Sequence, residues 1–425
     1  MAEGGLRRDI GLTGSAFLAF NGIVGAGIFG LPGQLHEKFG GFAPWLFLLF
    51  AVPILLIALP FARLAAMHSA TGGPVAYVAP FGPIASFQTG WLYYAARITA
   101  LAANANIFAT YAATLWSPLG TSVGRGATII ALVALLSWIN VVGVKRAIRA
   151  LDLLTLLKAL PLIGLALWGL GHAARGLPPP EPVPPLSALE ANALLLLYAF
   201  VGFENASVPA EETANPGRTI PRAMIFTILA TAALYMLVQL GYAAVMPPGP
   251  APAAPLAACA EALWGPAGAG LLALTALVSV AGNVGSSMTS TPRVTYALSQ
   301  QGALPGWFGR IGARSGVPAN SILFMAIVGS ALALAWGFLG LAAFSTFARL
   351  FVYAACLTAL PRARPGLLSW GLALAGIGVC VWTATQSKTE SWAMLGGFLI
   401  AGFLLYGLAR IQRGRTGEQN RPNQS

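Results

Sequence analysis

Four ionisable side chains lie inside long apolar runs: Arg97, Lys158, Glu204 and Arg349. A charge removed from water needs a partner, a cavity or a changed protonation state. Arg cannot deprotonate, so Arg97 and Arg349 each need an anion, a carbonyl or water. Lys158 sits mid-span in Leu151-Asp152-Leu153-Leu154-Thr155-Leu156-Leu157-Lys158-Ala159-Leu160-Pro161. An amine there is a functional candidate, unless its stem lets it snorkel to the nearer edge. Glu204 is the acid placed deepest in a run. Two readings stay open for it: a titrating or gating carboxyl, or a fixed ion pair with a buried base. Arg97 and Lys158 are the bases available for such a pair.

Two of the apolar runs are built to break as helices. The first carries Asn21-Gly22-Ile23-Val24-Gly25-Ala26-Gly27-Ile28-Phe29-Gly30 through its centre. Gly costs roughly 1 kcal/mol relative to Ala within a helix. Several within one turn predict an interruption. The second reads Tyr198-Ala199-Phe200-Val201-Gly202-Phe203-Glu204 and reaches Pro209, which lacks a backbone donor. Non-helical backbone at membrane depth survives only where protein buries it or water meets it. Its bare N–H and C=O groups then form a polar site within an apolar surround.

The elements that position these residues follow from composition. The chain has 425 residues, 57% hydrophobic and 8% charged, with a mean hydropathy of +0.74. A soluble domain carries about 25% charged residues, so this is an integral membrane protein. At about 20 apolar residues per crossing, twelve spans are expected: 12–35, 42–67, 83–116, 126–144, 152–171, 188–213, 220–246, 262–298, 319–337, 339–360, 367–386 and 391–411. The breaks fall in the first and sixth. That spacing predicts an inverted repeat of five spans plus five within one transport domain, covering about 10–172 and 186–362. Two peripheral helices follow, over about 366–412. Two proline-rich linkers, 177–185 and 247–255, halt helices.

The net charge of +12 is scattered through short loops, so a nucleic-acid partner is not expected. The side holding both termini carries most of the basic residues, from Arg7 and Arg8 through Arg146, Arg218 and Arg293 to Arg413. The other side holds Lys38, Arg125, Arg175 and Lys388. By the positive-inside bias both termini are cytoplasmic and the Pro-rich linkers face outward. The first run is too long for a signal peptide and is read as a retained span.

Other patterns carry less. Gly25-Ala26-Gly27-Ile28-Phe29-Gly30 satisfies G-x-G-x-x-G, but a dinucleotide site needs a strand before it and an acid about 20 residues on. Neither is present. Cys259, Cys356 and Cys380 read as small apolar residues. His36, His68 and His172 are read at loop positions, and no metal or cofactor is expected. Asn104 and Asn106 on the third span are expected to bond across helices or line a cavity.

With these residues in view, Gly22-Ile23-Val24-Gly25-Ala26-Gly27-Ile28-Phe29-Gly30-Leu31-Pro32 resembles the first-helix signature of the amino acid–polyamine–organocation permeases. Tyr198 to Glu204, Ala210-Glu211-Glu212, Asn215-Pro216-Gly217-Arg218 and Ile220-Pro221-Arg222-Ala223 resemble that family's sixth helix and the loop after it. Gly72-Gly73 with Phe81-Gly82-Pro83, and Gly302-Ala303-Leu304-Pro305, resemble its second loop and the end of its eighth helix. The likeness runs from about residue 10 to 320.

The resemblance implies an all-α membrane carrier, not an enzyme, that moves an amino acid by alternating access. Backbone N–H groups at Gly25, Ala26 and Gly27 would take the substrate's carboxylate. Carbonyls at Ile23 and Tyr198 to Val201 would take its amino group, with Val24 and Gly202 completing the breaks. Phe200 would cover the side chain, or simply pack. Lys158 would place its ammonium where sodium-coupled relatives hold an ion, with Asn283, Ser286 and Ser287 as polar neighbours. The expected substrate is a neutral L-amino acid carried without sodium, by proton coupling or exchange. A cationic amino acid or polyamine antiporter is the nearest alternative, and a transporter-like sensor the alternative of another class. The implied partners are the substrate and the lipid bilayer, and a homo-oligomer is compatible with this reading.

Overall fold

In the computed structural model, residues 10–67, 73–142, 159–173, 182–207, 210–312 and 316–419 are described. Lys158 and His68 lie outside them. Helix follows helix along the whole of that length. Among the described residues, nine helical stretches are long and apolar enough to cross a membrane, and three shorter apolar helices accompany them.

The first crossing is two half-helices, α1 (Leu12–Ile23) and α2 (Ala26–Phe39), separated at Val24 and Gly25. There follow α3 (Ala43–Met67), α4 (Pro83–Leu115), α5 (Ser122–Val142) and α6 (Ala159–Ala173). The sixth crossing begins as α7 (Leu186–Tyr198), unwinds over 199–202, and resumes as a short 3-10 turn, Phe203–Ser207. Next come α8 (Pro216–Val245), α9 (Pro255–Ser290), α10 (Pro292–Gln300), α11 (Ala319–Ala335), α12 (Phe338–Leu357), α13 (Leu367–Thr385) and α14 (Thr389–Gln419). Both expected breaks are present, each in the crossing that opens its half of the chain.

The eighth crossing starts earlier than the hydropathy pattern indicates. Helix begins at Pro255 rather than near 262, and Gly265 (φ 67°) and Pro266 divide an outer arm from the spanning part. The arm carries Glu261 among otherwise apolar residues, and the sequence reading starts the span only beyond that charge. His36 is a second departure. It lies in the last turn of α2, 7% exposed, rather than in a loop, with its ring 5.6 Å from that of Tyr242.

Packing divides the crossings. Helix α8 lies along α3, α1 and α6, while α4 is the hub for α9, α11 and α12. The hub can be central because Ala95, Ala96, Ala102, Ala103, Ala105 and Ala109 give it a nearly continuous small, buried surface. At 33 residues it is about 50 Å long, well beyond the hydrocarbon thickness of about 30 Å. The three cysteines are buried and free, as their surroundings in the sequence suggest.

Candidate functional site

The two breaks meet. Gly202, at φ 118°, occupies backbone space that side chains rarely enter. A Cβ on Gly22 would stand 2.5 Å from the Gly202 carbonyl oxygen, and a Cβ on Gly202 would collide with the Gly22 backbone. Lacking side chains at both positions lets the last turn of α1 and the unwound part of the sixth crossing meet in direct backbone contact. A Cβ on Gly27 would likewise stand 3.3 Å from the Ala199 Cα.

The bare backbone groups have partners from the surrounding helices. The Gly25 N–H turns back onto the Ile23 carbonyl at 2.9 Å. The Ala26 N–H donates to Asn104 Oδ1 at 3.1 Å. The Tyr235 hydroxyl donates to the Ile23 carbonyl at 3.3 Å. Asn283 Nδ2 donates to the Asn21 carbonyl at 2.9 Å. Here Asn104 holds one donor of the nest at the start of α2, and Asn283 holds the carbonyl end of α1. Tyr198 and Phe200 are buried beside the nest. The Phe200 ring lies 6.4 Å from Phe47 and 6.3 Å from Tyr235, in an aromatic cluster. Ser287 is buried and Ser286 half-buried on α9. Lys158, which the sequence places among them, is outside the described residues.

Just past the second break lies a buried ion pair. Glu204 is 1% exposed. Its Oε1 meets Arg349 Nε at 3.3 Å. Its Oε2 accepts from the Tyr353 hydroxyl at 2.9 Å and from the Gly202 N–H at 2.9 Å. Arg349 donates onward to Ser345 Oγ at 2.6 Å, whose hydroxyl donates to the Ala96 carbonyl at 2.8 Å. The partner is Arg349 rather than Arg97; Lys158, the other base considered from sequence, lies outside the described residues. Arg349 stands 145 residues further along the chain, and no local spacing links the two.

Arg97 has a different role. From α4 its Nη1 donates to Asn205 Oδ1 at 3.1 Å, its Nε to Thr291 Oγ1 at 3.1 Å, and its Nη2 to Ser290 Oγ at 2.9 Å. One side chain therefore ties the short turn after the second break to α4 and to the α9–α10 junction. Asn106 spans helices as well, donating to the carbonyls of Ala333 and Trp336 and accepting from Arg125.

Below Arg97 and Glu204 opens a cavity of about 1160 Å³, lined by the segment before α4, by α10 and by the end of α14. Chain connectivity puts it at the end of the molecule that holds both termini. At the same end, residue 10 pairs with the loop after the second break: the Ile10 N–H donates to the Glu212 carbonyl at 3.0 Å, and the Ala214 N–H to the Ile10 carbonyl at 2.9 Å. No His, Cys, Asp and Glu grouping suited to a metal occurs among the described residues.

Comparison with known proteins adds the following. The profile of a family described as amino acid permease matches residues 10–408. The cadaverine/lysine antiporter of Escherichia coli (strain K12) is 27% identical over 344 residues, covering 76% of this chain and 74% of the relative. An uncharacterised transporter of Mycobacterium tuberculosis (strain H37Rv) is 28% identical over 425 residues, covering 96% of this chain and 92% of that one. Among solved structures, that of MhsT in complex with L-phenylalanine superposes with a TM-score of 0.63 at 14% identity, covering 91% of this chain and 100% of the other. At that identity the likeness speaks to the fold alone.

Proposed function

The chain belongs to the amino acid permease family, and from that premise we propose that it carries neutral L-amino acids across the cell membrane by alternating access, without sodium. The observation that supports neutrality of the substrate is the state of Glu204. Both its oxygens are engaged, by Arg349, Tyr353 and the Gly202 N–H. A distal ammonium on the substrate would have to displace a buried guanidinium, and breaking such a pair costs about 3–5 kcal/mol. Among the described residues, no other acid is buried.

The transported amino acid would sit where the breaks meet. Its carboxylate would take the N–H groups of Gly25, Ala26 and Gly27, at the positive end of α2. The Asn104 carbonyl oxygen now on Ala26 would give way to it. The amino group would take carbonyls from Ile23 and from Tyr198 to Val201. Release to the cytoplasm would part the ties that Arg97 and Arg349 make to Asn205 and Glu204. The positive-inside bias orients both termini to the cytoplasm, which makes the large cavity the cytoplasmic vestibule.

A second reading rests on the relative named for cadaverine and lysine. It has this chain exchanging a cationic amino acid or diamine. Uptake into proteoliposomes separates the two. A panel of labelled neutral and cationic amino acids and cadaverine is offered with and without sodium and pH gradients. Saturable, sodium-independent uptake of neutral amino acids is expected. Uptake confined to lysine or cadaverine would replace this reading with the second.

A further inference from the structure

The cytoplasmic cavity has an uncompensated charge at its inner end. Arg97 is 6% exposed and lines the cavity. Its three bonds go to neutral oxygens, those of Asn205, Thr291 and Ser290. The guanidinium has five N–H donors, so capacity is left over. Among the described residues the one ion pair is Arg349 with Glu204, and Arg97 has no carboxylate. Tyr93, whose ring centroid lies 6.0 Å from the Arg97 guanidinium carbon, supplies a weak aromatic contact only. The buried group formed by Arg97, Arg349 and Glu204 thus holds two fixed cations and one anion.

A buried guanidinium facing a cavity favours an anion there, and planar carboxylates fit its fork geometry. Arg293, Arg410 and Arg413 line the same space with Glu204 and Glu212, so cations outnumber carboxylates there. The volume exceeds the roughly 300–1,000 Å³ usual for a ligand pocket, so a small solute enters with water around it.

We propose that this cavity is a second, cytoplasmic binding site for the carboxylate of a small monocarboxylate, with Arg97 as the residue that holds it. The proposal rests on the transport reading for its biological meaning: an amino acid leaving the central site passes its carboxylate from the α2 backbone to Arg97. In doing so it replaces the Asn205 contact, so capture and release of the helix turn are one event. A ligand with only ammonium groups gains nothing at Arg97 and is repelled by it.

The site is tested without knowing the transported amino acid. The full chain is placed in phosphatidylcholine nanodiscs, and saturation-transfer NMR reads binding of sodium valerate against its neutral amide, valeramide. Wild type is expected to bind valerate and not valeramide. Arg97→Gln should weaken valerate by about tenfold, the loss of a charge-assisted hydrogen bond. Gly25→Leu, which fills the central nest, should leave valerate binding in place. Should Arg97→Gln fold poorly, Ala297→Trp obstructs the cavity with Arg97 intact and should weaken valerate as much.

Valerate binding that survives both substitutions, or that is lost in Gly25→Leu alone, overturns the proposal. So does loss of binding when phosphatidylglycerol replaces part of the lipid, since the occupant is then a headgroup. If the binding pattern holds but wild type transports no amino acid, the transport reading fails and the site stands. Transport with valerate binding indifferent to Arg97→Gln gives the reverse.

Discussion

Gly22 and Gly202, 180 positions apart, are held in backbone contact, and neither tolerates a methyl group: a Cβ on Gly22 would stand 2.5 Å from the Gly202 carbonyl. The contact joins the last turn of α1 to the unwound part of the sixth crossing, beside the site where substrate is expected. Any shift of one half-helix is felt by the other, because no side chain cushions the crossing.

Gly22→Ala and Gly202→Ala therefore act on both folding and transport. Overpacking of this kind costs about 1–3 kcal/mol, and at Gly202 the φ of 118° adds backbone strain for any side chain. Both variants should melt earlier than wild type, Gly202→Ala by more, and lose most uptake. A Gly22→Ala protein with wild-type melting and uptake would mean that the crossing is loose in the membrane.

Removing the carboxylate at Glu204 strands Arg349. Glu204→Gln should express poorly or melt early, by an amount equivalent to about 3–5 kcal/mol for a broken buried pair. Arg349→Met in the same chain should restore much of that stability, which a double-mutant cycle on melting temperature measures. If Glu204→Gln is instead stable, and pH-driven accumulation vanishes while counterflow exchange persists, the carboxyl carries the coupled proton.

Filling the nest at α2 should block binding without unfolding the chain. A Cβ at Gly25 already sits 3.1 Å from Asn104 Oδ1 and from Asn283 Nδ2. Gly25→Leu must push both amides away from the backbone they hold. Normal expression with amino acid binding lost by scintillation proximity is expected. Unchanged affinity would mean that the glycines serve packing alone.

Sodium independence is expected to depend on Lys158. Lys158→Ala should cripple uptake, and wild-type uptake should be the same in sodium and potassium buffers. Strict dependence on sodium, or a fully active Lys158→Ala protein, would remove the lysine from the mechanism.

Orientation has a direct check. Ser187 is exposed in the first turn of α7, on the side with few basic residues. A single cysteine at that position in a Cys-free chain should react from outside intact cells with an impermeant reagent. Reaction only after the cytoplasmic face is opened would invert the topology, and with it the assignment of the large cavity.

Much of this was legible in one dimension because its causes are local. Apolar length predicts a crossing, glycine clustering predicts a broken helix, and loop charge predicts a side. The breaks at Val24–Gly25 and at 199–202 accordingly fall where the residues Gly22 to Gly30 and Gly202 put them. Asn104, read as a residue that bonds across helices or lines a cavity, caps the Ala26 N–H. The outer arm of α9 escaped the pattern because it is helical without being apolar throughout.

Partners were another matter, since a buried charge needs some counter-group but nothing in its own segment specifies which. Tertiary packing alone brought α12 against the second break, giving Glu204 to Arg349 and Tyr353. The same packing left Arg97 with three neutral oxygens at the inner end of a cavity. Periodicity determines which face of a helix is polar. Only the crossing of distant helices determines whether a charge on that face is paired, and whether one is left over to receive a ligand.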